Sequence, residues 1–353
     1  MTPNKITAAT VDARFLAGDE EMLVVEDNYL AFENDYAYRL ANIETDFPRY
    51  HAYHYNIDEI GHDPYVLMAI CSAVKPDFTR DDPEIIEVVN QLKRPRRNYT
   101  LTIDKQVASD YAEQFAGVDV EVIDRQYVDL YVKFVNFGMH CTIDSILTHD
   151  QIAAYAGYMR SHGCRPDLFP IDKYPHASGL VKAIDYNFTP ELLAQYPLFA
   201  SELAIARPLL GYPYVWGGSD LETSFDCSGF ICYVLDQIGY RYRNVIDGVE
   251  RRLPVAGSTI RGMFHDGLYE KCQIMNNIDK AQPGDLVFFG GTFDASYRSR
   301  NLSHVGIYCG DDIFLDCEVK SGIGFHRFGD ANGRGGTWRE LIACFGRCLA
   351  DRL

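Results

Sequence analysis

The chain has 353 residues and a formal net charge of −17, from 33 basic and 50 acidic side chains. This acidic balance argues against phosphate neutralisation, so we expect no nucleic-acid partner. Hydrophobic residues make up 47% of the chain and charged residues 24%, which is typical of a globular protein. No apolar run approaches the roughly 18 residues of a membrane span, and we expect no membrane segment in this chain.

The ten cysteines are scattered and include no Cys-x-x-Cys pair. This spacing argues against a structural zinc site and against a small disulfide scaffold. We therefore expect no metal site and no cofactor, and we interpret cysteines within regular elements as buried free thiols.

Helical signals open the first half of the chain. Apolar residues recur at helical spacing over residues 27–45. Asp63-Pro64 and Asp82-Pro83 each combine an N-cap with proline at the first helical position. The sequence therefore predicts three helices here.

Strand signals follow. Residues 97–104 and 118–138 are rich in Val, Ile, Tyr and Thr, which favours strands. Thr148 and Gln151 then form a capping box that predicts a helix ending at Gly163.

The proline-rich stretch 166–189 predicts a linker between an N-terminal helical and β-stranded module, residues 1–165, and a second domain, residues 190–353. Five histidines of the first half share no ligand spacing with a second motif, and we interpret them as surface or packing residues. They are His51, His54, His62, His149 and His162.

The second domain is predicted to begin with helices and to end with a sheet. One helix starts at Pro190, a second follows Asp226, and residues 241–280 are predicted to form a long loop region. Short apolar runs between turn signals then predict four strands. They cover residues 284–289, 303–309, 313–317 and 341–348.

Cys227 follows Asp226 at the start of the second of these helices, which Gly239 ends. In a first helical turn, unpaired amide hydrogens and the helix dipole favour a thiolate, so we expect a lowered pKa and a nucleophilic sulfur. The alternative is a small buried hydrophobic residue.

His304 is the best candidate for the base that such a thiol needs. In its strand, Val305 and the following odd positions are expected to face the core. His304 and Gly306 would then share the opposite face, where the glycine leaves room for a substrate.

Asp316 and Glu318 are the candidates for orienting the imidazole. If residues 310–312 form a three-residue loop, Glu318 lies opposite His304 and Asp316 lies diagonal to it, whereas a two-residue loop would move both away. We favour Asp316.

Four strings in this order and spacing carry a family resemblance: GYPYVWGG, FDCSGF, QPGDLVFFGGTF and LSHVGIYCGDDIFLDC. Over about residues 192–353 the chain resembles the NlpC (p-sixty) family of papain-like cysteine peptidases, which cut peptidoglycan stem peptides. The resemblance implies an α+β fold in which a helix carrying the cysteine packs on an antiparallel sheet, preceded here by a separate α+β domain.

The resemblance assigns Cys227 as nucleophile, His304 as general base and acid, and Asp316 as the third residue. Family members commonly have histidine at this third position, so the aspartate leaves its identity open.

Four more residues match the family's substrate side of the site. Tyr214 resembles the tyrosine that helps the Cys227 amide to hold the oxyanion, and Trp216 is expected to form a cleft wall. Asp226 and Ser228 match positions that receive a free substrate amine in some members, although Asp226 could equally be a helix cap.

The first half resembles the region preceding the peptidase in cell-wall hydrolases of Gram-positive conjugative transposons. This resemblance implies an extracellular or cell-wall location, partners in the conjugation machinery and a membrane anchor ahead of the chain, although no export signal is recognisable.

The expected activity is endopeptidase cleavage of peptidoglycan stem peptides at the γ-D-glutamyl–diamino acid bond. An alternative is an inactive binding or scaffold component of a conjugation or secretion assembly. A third reading is acyl transfer to another substrate by the same residues.

Overall fold

The computed structural model describes residues 13–95, 97–177, 185–246, 249–254, 264–292, 300–332 and 336–348. The chain divides into two compact units. Of the described residues, the N-terminal unit comprises Arg14–Gln151 and Arg165–Ala177, and the C-terminal unit comprises Ala13, Ile152–Cys164 and the residues from Asp185 onward. The predicted domain boundaries at 165 and 190 stay a prediction, and residues 178–184 of the predicted linker lie outside the described residues.

The elements between Asp19 and Ser161 combine helices with one small sheet. They are α1 Asp19–Ala41, α2 Ile43–Asp46, β1 Tyr53–Ile57, α3 Pro64–Val74, α4 Pro83–Leu92, β2 Tyr99–Val107, β3 Val128–Asn136, α5 Ile143–Ile146 and α6 His149–Ser161. Strand β3 lies in the centre, parallel to β1 and antiparallel to β2.

Local signals placed most of these elements correctly. Helix α3 begins at Pro64, and the Asp63 side chain accepts a hydrogen bond from the Tyr65 amide. The capping box of Thr148 and Gln151 is present at the start of α6. The strand prediction for residues 118–127 was wrong, because side chains of Asp119 and Asp124 cap two short 3₁₀ turns there.

Three histidines of the N-terminal unit are held by carboxylates. His62 is buried between Glu26 and Glu33, with ring nitrogen–oxygen distances of 3.0 and 2.9 Å, and these two hydrogen bonds raise its pKa to about 9 against the opposing effect of burial. His51 and His54 both contact Asp129, at 2.8 and 3.0 Å. These contacts bind the histidines into the unit's own structure.

The elements from Pro190 onward form the sheet and its covering helices. They are α7 Pro190–Gln195, α8 Pro197–Ala206, β4 Ser219–Asp220, β5 Ser224–Phe225, α9 Cys227–Gln237, β6 Arg241–Ile246, β7 Val249–Pro254, α10 Phe264–Glu270, β8 Cys272–Met275, β9 Leu286–Gly290, β10 Leu302–Gly310, β11 Ile313–Glu318, β12 Gly322–Arg327, α11 Trp338–Leu341 and β13 Ile342–Cys348.

Two predictions for this region were wrong, and one strand was missed. The helix predicted from Pro190 is two helices, because Pro197 starts α8 after a break at Tyr196. The predicted loop region 241–280 contains the β6–β7 hairpin, α10 and β8, while residues 255–263 lie outside the described residues. Strand β12 was not predicted, because its glycine-rich sequence GIGFHR carries a weak strand signal.

A six-stranded sheet in the order β12-β11-β10-β9-β13-β8 organises the C-terminal unit, and every neighbouring pair is antiparallel. Helix α9 packs on β10 and β11. The sheet is covered on both faces, by an apolar cluster containing α9 residues and by an aromatic cluster containing Trp338. The fold is therefore α+β, with the cysteine-bearing helix on an antiparallel sheet, as predicted. Within the described ranges, no helix combines the length and the hydropathy that crossing a membrane requires.

The buried carboxyl group of Glu202 in α8 should make the free energy of unfolding depend on pH. It is 1% exposed, and neither carboxyl oxygen has a hydrogen-bond partner among the described residues, so burial raises its pKa well above the ordinary value. A raised carboxyl pKa gives stability below the unfolded pKa that is lost as pH rises towards the folded pKa. We expect Glu202→Gln to raise Tm at pH 8 but not at pH 4. Each kcal/mol added to the free energy of unfolding corresponds to a rise of about 2–4 °C in Tm. Scanning calorimetry at both pH values checks this, and an equal shift at both would contradict it.

Candidate active site

The start of α9 is fixed by the Asp226 side chain. Its Oδ1 accepts hydrogen bonds from the Gly229 amide at 2.6 Å and from the Ser228 hydroxyl at 2.9 Å. Its Oδ2 accepts one from the Gly217 amide at 2.9 Å. The carboxylate therefore caps the helix and ties the aromatic loop before it to the first turn, where Cys227 lies.

Two glycines allow this loop to lie directly on the helix. A Cβ at Gly229 would come within 2.0 Å of the Gly218 carbonyl oxygen, and a Cβ at Gly218 within 2.7 Å of the Ser224 carbonyl oxygen. A side chain at either position would push the loop away from α9. The glycines of the loop and helix therefore set the position of Cys227 relative to Tyr214.

The Cys227 thiol is more deeply buried than its place in a first turn suggested. The residue is 4% exposed, and burial, followed by the charges of Asp226 and Asp316, raises its pKa well above the ordinary value. Backbone hydrogen bonds from Val305 and Ser228 oppose this shift. The expected lowering of the pKa was wrong, because the loss of solvation outweighs the contribution of the helix terminus.

The backbone contact with Val305 places the sulfur beside the residue that follows His304. On β10, Val305, Ile307 and Cys309 pack in the cluster that contains Cys227, as the alternation predicted. His304 lies on the other face with its ring against Trp338, at 5.3 Å between ring centroids. Burial lowers the pKa of His304 to about 4, and the charges of Glu318 and Asp226 oppose the shift.

Gly306 does not provide the space predicted for a substrate. A Cβ there would meet the Asp316 Cβ, the Leu315 carbonyl oxygen and the Phe314 ring, each at 3.1 Å. The glycine instead lets β11 approach closely enough for the Asp316 side chain to lie beside the imidazole. The prediction of a substrate space here was wrong, because the aromatic cluster and Asp316 fill this face.

The strand register places both candidate acids near His304. Ile307 pairs with Leu315 and Tyr308 with Phe314; continuing this register places Glu318 opposite His304 and Asp316 diagonal to it, as predicted. The loop itself has only two residues, Asp311 and Asp312, both with positive φ. A bulge between Tyr308 and Gly310 adds the residue that preserves the register.

Asp316, rather than Glu318, contacts the imidazole. Its Oδ2 lies 2.5 Å from His304 Nε2, whereas Glu318 accepts a hydrogen bond from the Ser321 hydroxyl at 2.6 Å. Since Nε2 of His304 faces the acid, Nδ1 is the ring nitrogen left to exchange a proton with a thiol.

A second histidine also contacts Asp316. Nε2 of His326 on β12 lies 3.4 Å from Asp316 Oδ1. This contact was not predicted because strand β12 was not predicted. The sequence offered one signal of the strand: His326 alternates with Gly322 and Gly324 at a period of two. Burial raises the pKa of Asp316 to about 8, while the charge of His326 acts to lower it and that of Glu318 to raise it.

The predicted aromatic residues belong to the same apolar region as the cysteine. Tyr214 bridges to Phe225 through the backbone and belongs to the apolar cluster that contains Cys227. Trp216 is partly buried and packs against the same cluster. Among the described residues, no group of three or more His, Cys, Asp or Glu side chains could hold a metal ion.

The site thus combines a helix-borne thiol, a strand-borne imidazole and a buried acid in an α+β domain. Residues 211–338 match the model of the NlpC/P60 family, so this part of the chain is an NlpC/P60 domain.

Among known proteins, the bifunctional muramidase/DL-endopeptidase CwlT of Bacillus subtilis is 31% identical over 49% of this chain and 43% of its own length. The probable endopeptidase YafL of Escherichia coli is 35% identical over 33% of this chain and 39% of its own length. The crystal structure of the NlpC/p60 domain of the peptidoglycan hydrolase SagA has 24% identity and a TM-score of 0.27, and the match covers 42% of this chain and 97% of that one. The chain thus spans less than half the length of these two sequence relatives.

Proposed function

We propose that this protein is a peptidoglycan endopeptidase in which Cys227, His304 and Asp316 carry the reaction. The contact of 2.5 Å between His304 Nε2 and Asp316 Oδ2 is the observation that carries this proposal. It leaves His304 Nδ1 as the base, on the strand whose next residue contacts the Cys227 sulfur. The family match over residues 211–338 and the relatives named endopeptidases support the same chemistry.

In the first step, Nδ1 of His304 takes the proton from Cys227 while the sulfur attacks the carbonyl carbon of the substrate amide and forms a tetrahedral oxyanion. His304 then gives the proton to the leaving amine, and the C–N bond breaks to leave a thioester. Water, deprotonated by His304, attacks the thioester and releases the acid and the thiol. Because both His304 and Cys227 are buried as neutral groups, proton transfer accompanies attack instead of preceding it.

The oxyanion would be held by the Cys227 amide and the Tyr214 hydroxyl. On the other side of the scissile bond, Asp226 and Ser228 would receive a free substrate amine. The Asp226 carboxylate is fixed in place by the hydrogen bonds that it accepts from loop and helix amides. A fixed carboxylate attracts an ammonium group. The ring of Trp216 would complete that side of the cleft.

The substrate bond is the γ-D-glutamyl–diamino acid bond of the stem peptide, in line with the name DL-endopeptidase of the relative CwlT. The protein would act in the cell wall, where it locally opens peptidoglycan for conjugative transfer. The N-terminal unit would then contact conjugation proteins.

Mass spectrometry of purified peptidoglycan after incubation with the protein tests this function. We expect fragments that end in a free γ-D-glutamyl carboxylate and partner fragments that begin with a free diamino acid. Incubation with Cys227→Ala provides the control for contaminating hydrolases. Intact stem peptides, or the same fragments with the alanine variant, would contradict the proposal.

The burial of the thiol favours a second candidate, a peptidoglycan-binding protein without catalysis. The two candidates differ in whether Cys227 reacts. A Cys227 that resists iodoacetamide up to pH 9 in the folded protein, together with pelleting on insoluble peptidoglycan, would support binding alone.

A further inference from the structure

Asp316 lies between two imidazoles on the neighbouring strands. It is 0% exposed; its Oδ2 faces His304 on β10 at 2.5 Å and its Oδ1 faces His326 on β12 at 3.4 Å. The mechanism uses only the first contact. The second contact involves a group that can carry the opposite charge, so it bears on whether Asp316 is a carboxylate or a carboxylic acid.

Nε2 of His326 lies beside this acid and carries a hydrogen. The Ser321 hydroxyl donates its proton to Glu318 at 2.6 Å, so the Ser321 oxygen can only accept from His326 Nε2, which lies 3.1 Å away. Nε2 of His326 therefore carries a hydrogen, which it donates to the Ser321 oxygen, and Asp316 Oδ1 lies 3.4 Å from the same nitrogen without forming a hydrogen bond with it. The ring is also the most accessible of the three groups, with 17% of its side chain exposed against 7% for His304 and 0% for Asp316.

The charges around Asp316 bear on its protonation state. When the thiol attacks, its proton passes to the imidazole, so this pair adds no net charge, and a carboxylate at Asp316 adds one negative charge in a buried position. Among the described residues, the other titratable groups that interact with Asp316 or His304 come from the start of α9, β10 and β11, and all of them are acids or thiols. They are Asp226, Cys227, Cys309, Cys317 and Glu318.

The charge of Asp316 decides the tautomer of His304. A carboxylic acid would donate its proton to Nε2 and leave the ring hydrogen on Nδ1, which could then not accept a proton from Cys227. A carboxylate accepts a hydrogen bond from Nε2–H, and Nδ1 becomes the acceptor that the reaction needs.

We propose that His326 is a positioning residue: it holds Asp316 as a carboxylate through the Nε2–Oδ1 contact, and Asp316 thereby keeps His304 in the tautomer that can deprotonate Cys227. This inference rests on the proposed roles of Cys227 and His304, and it assigns to β12 a part in the chemistry.

The test is a double-mutant cycle of His326→Phe and Asp316→Asn. Phenylalanine keeps the ring packing against Phe314, at 5.6 Å in the native structure, but removes the N–H group. The asparagine oxygen accepts from His304 Nε2–H and fixes the same tautomer without a charge. The measured quantity is the rate constant for Cys227 alkylation by iodoacetamide from pH 5 to 9, determined by mass spectrometry of the Cys227 peptide.

With Asp316 present, we expect His326→Phe to slow alkylation at pH 7 about tenfold and to move the rising limb of the profile about one pH unit upward, since one pKa unit corresponds to a factor of ten. In the Asp316→Asn background, the same change should alter the rate less than about twofold, because no charge remains to compensate.

Equal slowing in both backgrounds, which loss of packing alone would produce, would overturn the inference, and so would unchanged alkylation with Asp316 present. His326→Leu, which also removes the N–H group, gives the same cycle if the phenylalanine variant does not fold. Alkylation requires no peptidoglycan, so the cycle tests the role of His326 separately from the proposed substrate. The expected rates can be found even if the substrate is wrong, and they can be absent even if peptidoglycan is cleaved.

Discussion

Replacing Cys227 with alanine is expected to lower the rate of fragment release from peptidoglycan by about 10⁴-fold or more, because no covalent intermediate can then form. The fold should tolerate the change, since the sulfur contributes only one buried atom to a cluster of 28 buried residues. Reverse-phase chromatography of soluble fragments, with circular dichroism to confirm folding, measures the effect.

Cys344→Ala is the matched control for this variant. Cys344 is another buried thiol of the same cluster, so both variants remove the same atoms from the same core. We expect the Cys344 variant to retain nearly full activity. A folded Cys227→Ala protein that releases fragments at the native rate would rule out the proposed nucleophile.

Replacing His304 with glutamine should have the second largest effect, a loss of about 10²–10⁴-fold in kcat/KM, because glutamine can hydrogen-bond Asp316 but cannot take the thiol proton. In the native protein, activity should rise as the pH increases through about 8, where Asp316 becomes a carboxylate. The glutamine variant should lose this rise. Initial rates from pH 5 to 9 give both results.

His149→Gln is the control for the histidine change, because the side chain of His149 is 65% exposed at the start of α6. Its pH profile should overlay that of the native protein. A His304→Gln variant with the native pH profile would show that another group acts as the base.

The candidate site could be located from the sequence because its signals are local. Asp226 precedes an apolar run of helical period, and it caps α9 as that pattern predicts. His304 sits on a strand with period-two alternation, and the odd positions do face the helix-bearing cluster. The choice of Asp316 over Glu318 needed the register, which the sequence suggested through a three-residue loop and the structure achieves through a two-residue turn with a bulge.

The electrostatics of the site could not be predicted, because burial is a property of the whole fold. The position of Cys227 in a first turn suggested a thiolate, yet the packing of α9 on the sheet removes its solvent and raises its pKa. Likewise, Gly306 accommodates Asp316 only because β10 and β11 pair closely. The contact of His326 with Asp316 joins strands whose pairing the sequence left undetected.

The prediction for residues 241–280 failed for a different reason. Its mixed composition gave no clear period, and the prediction of a loop missed a hairpin, a helix and the edge strand β8. Strand β8 forms only through its pairing with β13, for instance between Cys272 and Cys348, whose sulfur atoms lie 3.6 Å apart. Such non-local pairing leaves little trace in a short stretch of sequence.

The most direct test of the central claim is the relation between Cys227 modification and activity. The protein is alkylated to increasing extents with iodoacetamide, and each sample is divided between peptide mapping of the Cys227 thiol and an assay of peptidoglycan fragment release. A catalytic Cys227 predicts that activity falls in direct proportion to the modified fraction and reaches zero when that fraction reaches one. Fragment release that persists when Cys227 is fully alkylated would contradict the account.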